Sequence, residues 1–219
     1  MSNSNDEGRF RVFFPSAVAQ ALVNEPRFHA LLAFARAMNV IRTAMEVLSR
    51  DSDASLPEDR RRHAAAFFLV GGLLADIQIA GNRLGQWYRD LPAYAVLAEV
   101  WKGDPLGHPP LNALKSLRDT AVAHFSPEPY AAVLAVQTEI GELRWANGAG
   151  PASGKFYYEF ADELALHFVL GAVADEGEFW TKYQRLSDAL LDVLIPLHNA
   201  GGKLIATATR IEGAEAVAL

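Results

Sequence analysis

Residues 28–48 read FHALLAFARAMNVIRTAMEVL, and the larger apolar side chains in them recur mainly three or four positions apart. This spacing puts them along one face of an α-helix, because an α-helix has 3.6 residues per turn. The stripe predicts the first long helix of the chain, and Pro15 and Ser16 are start signals ahead of it. Its members are Phe28, Leu31, Leu32, Ala35, Met38, Ile41, Met45 and Leu48.

A second long helix is predicted from about residue 58 to residue 90. Ser55-Leu56-Pro57-Glu58 supplies, in order, a cap, a proline for the first turn and a capping-box glutamate. The middle of the helix is apolar nearly all round, which is typical of a central helix. Its four glycines would weaken an isolated helix and are interpreted as points of close helix approach. They are Gly71, Gly72, Gly81 and Gly85.

Polar residues interrupt the second helix at Asp76, Asn82, Arg83 and Gln86. Asp76 and Arg83 are seven positions apart and therefore share a face. Polar groups in a buried helix must find partners. The residues are consistent with a structural ion pair or interhelical network, and also with a polar wall lining a site.

The remaining helices are punctuated by proline and glycine. Prolines at 127 and 129 end the helix predicted at 111–125. The last helix either ends at Asn199-Ala200-Gly201-Gly202 or continues through this segment towards Arg210. The predicted spans are 93–101, 111–125, 162–173 and 177–198.

Residues 142–160 break the helical pattern. Two aromatic-rich runs, 142–145 and 155–160, flank a Gly/Pro-rich segment at 147–154, which predicts a β-hairpin. We therefore predict an all-α fold, an up-and-down helix bundle with a small β-hairpin insertion near 143–160.

The length of 219 residues is typical of a single domain. We expect that domain to span 1–219, with disordered tails at 1–9 and 213–219. The composition, 51% hydrophobic and 21% charged, is that of a globular chain.

Several functional classes are disfavoured by composition. The chain has no cysteine, which excludes disulfides and thiolate metal sites. The net charge of -6 argues against a broad platform for duplex DNA. The first residues lack a signal-peptide pattern, and the longest apolar run, 64–75, is well short of the ~20 residues of a membrane span. We expect a cytoplasmic protein without membrane contact.

The six histidines form no metal-binding motif of the zinc-protease or di-iron type. Glu163 and His167 lie four apart on a helix face, where they either bind a metal or make an ordinary hydrogen bond. The sequence also has no Gly-rich phosphate loop, and we expect neither a metal nor a cofactor. Arg60-Arg61-Arg62-His63 either meets a phosphate backbone or forms a solvated turn paired with Glu58 and Asp59.

Residues 117–124 read LRDTAVAH, in which five residues separate Arg118 from His124. Asp119 follows the arginine and Ala123 precedes the histidine. The segment resembles the Arg-(x4–6)-His signature of the HEPN superfamily, and looks most like the abortive-infection type of bacterial HEPN protein. The likeness is specific in this short segment, and elsewhere only helix order and size agree.

The resemblance implies RNA as the partner. HEPN proteins are commonly metal-independent ribonucleases that act as dimers with the two motifs facing each other, and others are non-catalytic RNA-binding or interaction modules. By this resemblance His124 is a general base or acid on a ribose 2′-hydroxyl or leaving oxygen. Arg118 stabilises phosphate charge, and Asp119 orients one of the two. The resemblance also implies a homodimer, a cognate antitoxin and a role in phage defence or a toxin–antitoxin system.

Helix geometry adds a constraint to this assignment. Arg118 and His124 are about 120° apart around an ideal helix and about 9 Å apart along it. To converge on one phosphate they need an unwound helix end, which Pro127 favours, or a second subunit.

Two alternatives stay open. His124 continues the stripe of Leu114, Leu117 and Ala121, which is also the pattern of a structural histidine in a non-catalytic interaction module. A small-ligand-binding bundle could use the aromatic side chains Trp87, Tyr88 and Trp101, whose plainer interpretation is core packing.

Overall fold

The fold is mostly helical in the computed structural model, which describes residues 10–49, 57–102, 112, 146–147, 156–157, 166, 169–171 and 175–218. The prediction of an all-α fold with a small β-hairpin is confirmed. The elements, in chain order, are β1 (Phe10–Phe13), α1 (Ser16–Leu22), α2 (Pro26–Leu48), α3 (Pro57–Tyr88), α4 (Pro92–Lys102), β2 (Ala146–Asn147), β3 (Phe156–Tyr157), α5 (Glu176–Ile211) and β4 (Glu215–Ala218).

Helix α2 follows the predicted stripe but is separated from α1. Pro26 occupies the first turn of α2, where its missing N–H costs nothing. Phe34, which lies between the predicted positions, is the most deeply buried side chain of the helix. Leu32 is 52% exposed, because the buried face runs along positions 30, 31, 34, 38, 41, 44 and 48 and leaves it on the flank.

Helix α3 bends by 43° between its segments Arg62–Gly71 and Leu73–Tyr88. The bend falls at a glycine pair, a common cause of sharp kinks. A Cβ at Gly81 would lie 3.3 Å from Cε2 of Phe34, and a Cβ at Gly85 would overlap the hydroxyl of Tyr94. The prediction of close helix approach is confirmed at these two glycines.

The core lies where α2 packs against α3 and α5, with α4 against α5. Helix α5 passes both Pro196 and Gly201 and ends at Ile211, so the longer of the two predicted courses is correct. No single helix among the described residues has the length and apolar character needed to cross a membrane.

The two small sheets are both antiparallel. Strands β2 and β3 pair Ala146 with Tyr157 and Asn147 with Phe156, which confirms the hairpin. Strands β1 and β4 pair Phe10 with Ala218 and Phe13 with Glu215.

The prediction of a disordered tail at 213–219 is wrong for residues 213–218. Gly213, at φ 91°, reverses the chain after α5, a conformation that favours glycine. Strand β4 then forms backbone hydrogen bonds with β1 at the opposite end of the chain. The predicted tail at 1–9 lies outside the described residues.

Candidate functional site

The predicted site residues Arg118, Asp119 and His124 lie outside the described part of the chain. The same holds for the pair Glu163 and His167. Their assignment therefore stays a prediction.

The basic run at 60–63 lies in the first turns of α3 rather than in a turn. Arg62 is exposed, whereas His63 is buried. The His63 ring stacks on Tyr183 with centroids 5.8 Å apart and meets Phe67 edge-on. His63 thus belongs to the α3–α5 contact, and it does not share a surface with Arg62.

An aromatic cluster extends from this stack along α5. Phe67 meets Tyr183 edge-on at 5.1 Å, and Trp180 does so at 5.3 Å. Phe179 packs edge-on against Trp180 at 5.0 Å. Edge-on and offset aromatic pairs stabilise an interior beyond their buried area, so the cluster fixes the α3–α5 contact.

The polar residues of α3 do not form a buried network. Asp76, Asn82, Arg83 and Gln86 are all exposed. The predicted structural ion pair is absent, since neither Asp76 nor Arg83 has a hydrogen bond or ion pair within the described ranges. Helix α3 is therefore not apolar all round: it keeps one solvent-facing side, and that side carries the polar residues.

A polar cluster that the sequence did not predict joins three helix ends. Glu212, which follows α5, has a side chain that is only 6% exposed. Its Oε1 accepts a 2.9 Å hydrogen bond from the Tyr88 hydroxyl at the end of α3. Its Oε2 lies 3.2 Å from Nε of Arg27 at the start of α2, an ion pair by distance whose N–H is not aligned for a hydrogen bond.

Burial and the Glu212 carboxylate keep the Tyr88 phenol in its neutral form. Burial raises the pKa of Tyr88, and the hydrogen bond to the Glu212 carboxylate raises it further. The phenol therefore stays a donor at physiological pH. The cluster holds the end of α3, the start of α2 and the end of α5 together. Its members are far apart in sequence, so no local pattern identifies it.

Two other histidines are described. Nε2 of His29 lies 2.7 Å from the Val23 carbonyl and holds the end of α1 against α2. Burial lowers the pKa of His198 on α5, and the nearby Arg42 guanidinium lowers it further. This histidine is therefore held in its neutral form.

The aromatic residues proposed for a small-ligand site do not face one cavity. Tyr88 and Trp101 are buried in the core, as core packing predicts. Trp87 is 40% exposed on the outer side of α3. Among the residues that the structure describes, no three His, Asp or Glu side chains come together as a metal site.

Comparisons with protein-family models, with curated proteins and with solved structures find no match to this chain.

Proposed function

We propose that this chain is a HEPN-like RNA-binding protein that cleaves RNA without a metal, in the cytoplasm, as part of a defence or toxin–antitoxin system. The observation that carries the proposal is the segment Leu117–His124, in which Arg118, Asp119 and His124 have the spacing of the HEPN signature. The mostly helical fold supports the proposal because the signature occurs in all-α bundles, whereas the small hairpin is not a general feature of that family.

The chemistry follows from the residue types. His124 accepts the proton of a ribose 2′-hydroxyl, whose oxygen attacks the adjacent phosphorus. The bond to the 5′-oxygen breaks, and that oxygen takes up a proton, which leaves a 2′,3′-cyclic phosphate on the upstream fragment. Arg118 offers a planar, permanently charged fork to the phosphate oxygens. Because the two side chains diverge on an ideal helix, two copies of the segment facing each other complete the site.

The test is cleavage of single-stranded RNA by the full chain, with and without chelator. We expect cleavage that chelator does not affect, products with cyclic phosphate ends, and a loss of at least ~100-fold in His124→Ala. His29→Ala is a matched control, because His29 is exposed and its side-chain hydrogen bond in the described part of the chain is to a backbone carbonyl. Cleavage that survives His124→Ala contradicts the mechanism.

A non-catalytic interaction module is the second candidate. It is favoured by the structural use of histidine elsewhere in this chain, at His29 and in the stack of His63 on Tyr183. In this case His124→Ala lowers the free energy of unfolding, and the wild-type chain cleaves no RNA.

A further inference from the structure

The segment formed by β1 and α1, residues 10–22, buries little apolar surface against the bundle. Among residues 12–22, whose exposure the structure describes, only Leu22 is buried. Val12 and Phe13 are 46% and 40% exposed, although both are large and apolar. The core described above draws on helices α2, α3, α4 and α5 and includes no residue of this segment. Because burial of apolar surface is the main stabilising contribution, the segment is weakly held.

Neither element of this segment is stable by itself. In the described part of the chain β1 pairs with β4 in a sheet of two strands, and an isolated two-stranded sheet is marginal in water. Helix α1 has seven residues, fewer than the ~12–15 that an isolated helix needs. Its N-cap residue, Pro15, makes no side-chain capping hydrogen bond. Both elements therefore depend on contacts with the rest of the chain.

The contacts of the segment gather at one end of the bundle. Strand β4 supplies the strand pairing, and Gly213 ahead of it approaches α1 closely, since a Cβ there would lie 3.2 Å from Cγ1 of Val18. Phe14 packs edge-on against Phe28 at the start of α2, with ring centroids 5.1 Å apart. Because β1 and α1 contact the same small region, they lose their partners together.

The segment has a defined boundary with the bundle. Residues 23–25 interrupt the helices, and Glu25 is extended before Pro26, as the proline ring favours. Arg27 lies directly after this link, and its partner Glu212 lies directly before the turn into β4. The ion pair joins the start of α2 to the end of α5, so separation of β1 from β4 stops there.

We propose that residues 10–22 form a strap that releases as a unit. Strand β1 and α1 leave the bundle together, with rotation at residues 23–25, while the packed helices stay folded. Local opening of this kind needs less free energy than global unfolding, because it exposes few buried side chains. Release frees one edge of β4 and uncovers the surfaces of Phe28 and Gly213 that the strap contacts. A free strand edge pairs with other extended segments, so the strap controls access to this end of the bundle. The strap stands whether or not residues 117–124 cleave RNA.

The test is native-state hydrogen exchange of the full chain, followed by NMR for single amides. The strap is reported by the Ala19 amide, which donates a 2.9 Å hydrogen bond to the Pro15 carbonyl, and by the amides of β1 that bond to β4. The core is reported by amides at buried positions of α2 and α5, such as Ile41 and Leu194. We expect the strap amides to exchange about 100-fold faster than the core amides. Equal rates overturn the proposal, because the segment then opens only with the whole chain.

Two glycine substitutions separate strap release from global unfolding. Gly213→Ala strains a residue at φ 91° and crowds Val18, so exchange at Ala19 should accelerate about fivefold or more. Gly202→Ala is the matched control, because a Cβ there meets no atom within 4 Å and strengthens α5 alone. It should slow the core amides by up to about fivefold and leave Ala19 unchanged. An Ala19 rate that falls together with the core rate in Gly202→Ala, or that is unaffected by Gly213→Ala, overturns the strap.

A reversible lock tests the same motion without strain in the turn. The chain has no cysteine, so Val12→Cys combined with Ala216→Cys introduces a single pair of thiols, at positions that face each other in the β1–β4 register. Both positions are exposed, and paired Cα atoms in an antiparallel sheet lie ~4.5–5.5 Å apart, a distance that a disulfide spans. Oxidation should slow exchange at Ala19 about tenfold or more, and reduction should restore the faster rate. Equal exchange in the oxidised and reduced forms overturns the proposal.

Discussion

Two adjacent glycines of α5 provide a direct test of how tightly α5 packs on α2. A Cβ at Gly201 would overlap the sulfur of Met38 and would lie 3.1 Å from its Cγ and 3.3 Å from Cε1 of Phe34. A Cβ at Gly202 meets no atom within 4 Å. Both residues are helical, so Gly→Ala carries the same backbone benefit at each, about 1 kcal/mol.

The two substitutions therefore differ by the steric contact alone. Gly202→Ala should raise the free energy of unfolding by up to about 1 kcal/mol. Gly201→Ala forces Met38 out of its rotamer in a packed core, where overpacking costs about 1–3 kcal/mol. Met38 and Phe34 are both buried, so neither has open space to move into. The net loss for Gly201→Ala is about 0–2 kcal/mol, and the two variants differ by about 1–3 kcal/mol.

The measurement is urea unfolding followed by far-ultraviolet circular dichroism on both variants and the wild type. Combining Gly201→Ala with Met38→Ala supplies a double-mutant cycle, and removing the methionine should recover most of the steric loss as a favourable coupling. If Gly201→Ala stabilises the chain as much as Gly202→Ala, the close α2–α5 contact is not present and the reasoning fails.

Three further substitutions test the rest of the framework. Arg27→Met leaves the buried Glu212 carboxylate without its cation and should lower the free energy of unfolding by about 1–2 kcal/mol. This loss is smaller than that of a fully buried ion pair, because the arginine is 43% exposed. An unchanged urea midpoint would mean that solvent screens the pair. His198 has a lowered pKa in the folded chain, so the unfolded chain binds a proton that the folded chain does not. Stability should therefore fall as the pH drops through 6.5, its ordinary pKa, and His198→Gln should flatten this part of the unfolding profile unless another group causes the slope. Asp175 caps α5 by accepting a 2.7 Å hydrogen bond from the Glu178 amide, so Asp175→Ala should cost about 1 kcal/mol by the same urea assay, whereas Asp175→Asn should cost little.

The long helices were predictable because their signals are local. Pro57 and Glu58 are helix-start signals, and α3 begins at Pro57 in the structure. The hairpin was predictable for the same reason, and strand β3 lies inside the predicted run 155–160, whereas strand β2 at 146–147 follows the predicted run 142–145 and includes a residue assigned to the turn. The pairing of β1 with β4 was not, because it joins opposite ends of the chain and leaves no periodic pattern in either. The candidate site at Arg118 and His124 rests on local spacing alone and stays a prediction.

The solvent-facing side of α3 shows where the sequence prediction of a buried polar network is wrong. Polar residues in an apolar helix are expected to find partners inside the molecule, because burial without a partner is costly. Asp76 and Arg83 are instead exposed, so water satisfies them in the single chain. Ile79 is also exposed on this side, although it is a large apolar side chain that forms no hydrogen bonds with water. The same rule therefore places the polar residues on the side of α3 that water covers, and the helix is apolar only where it packs against α2 and its other neighbours in the bundle.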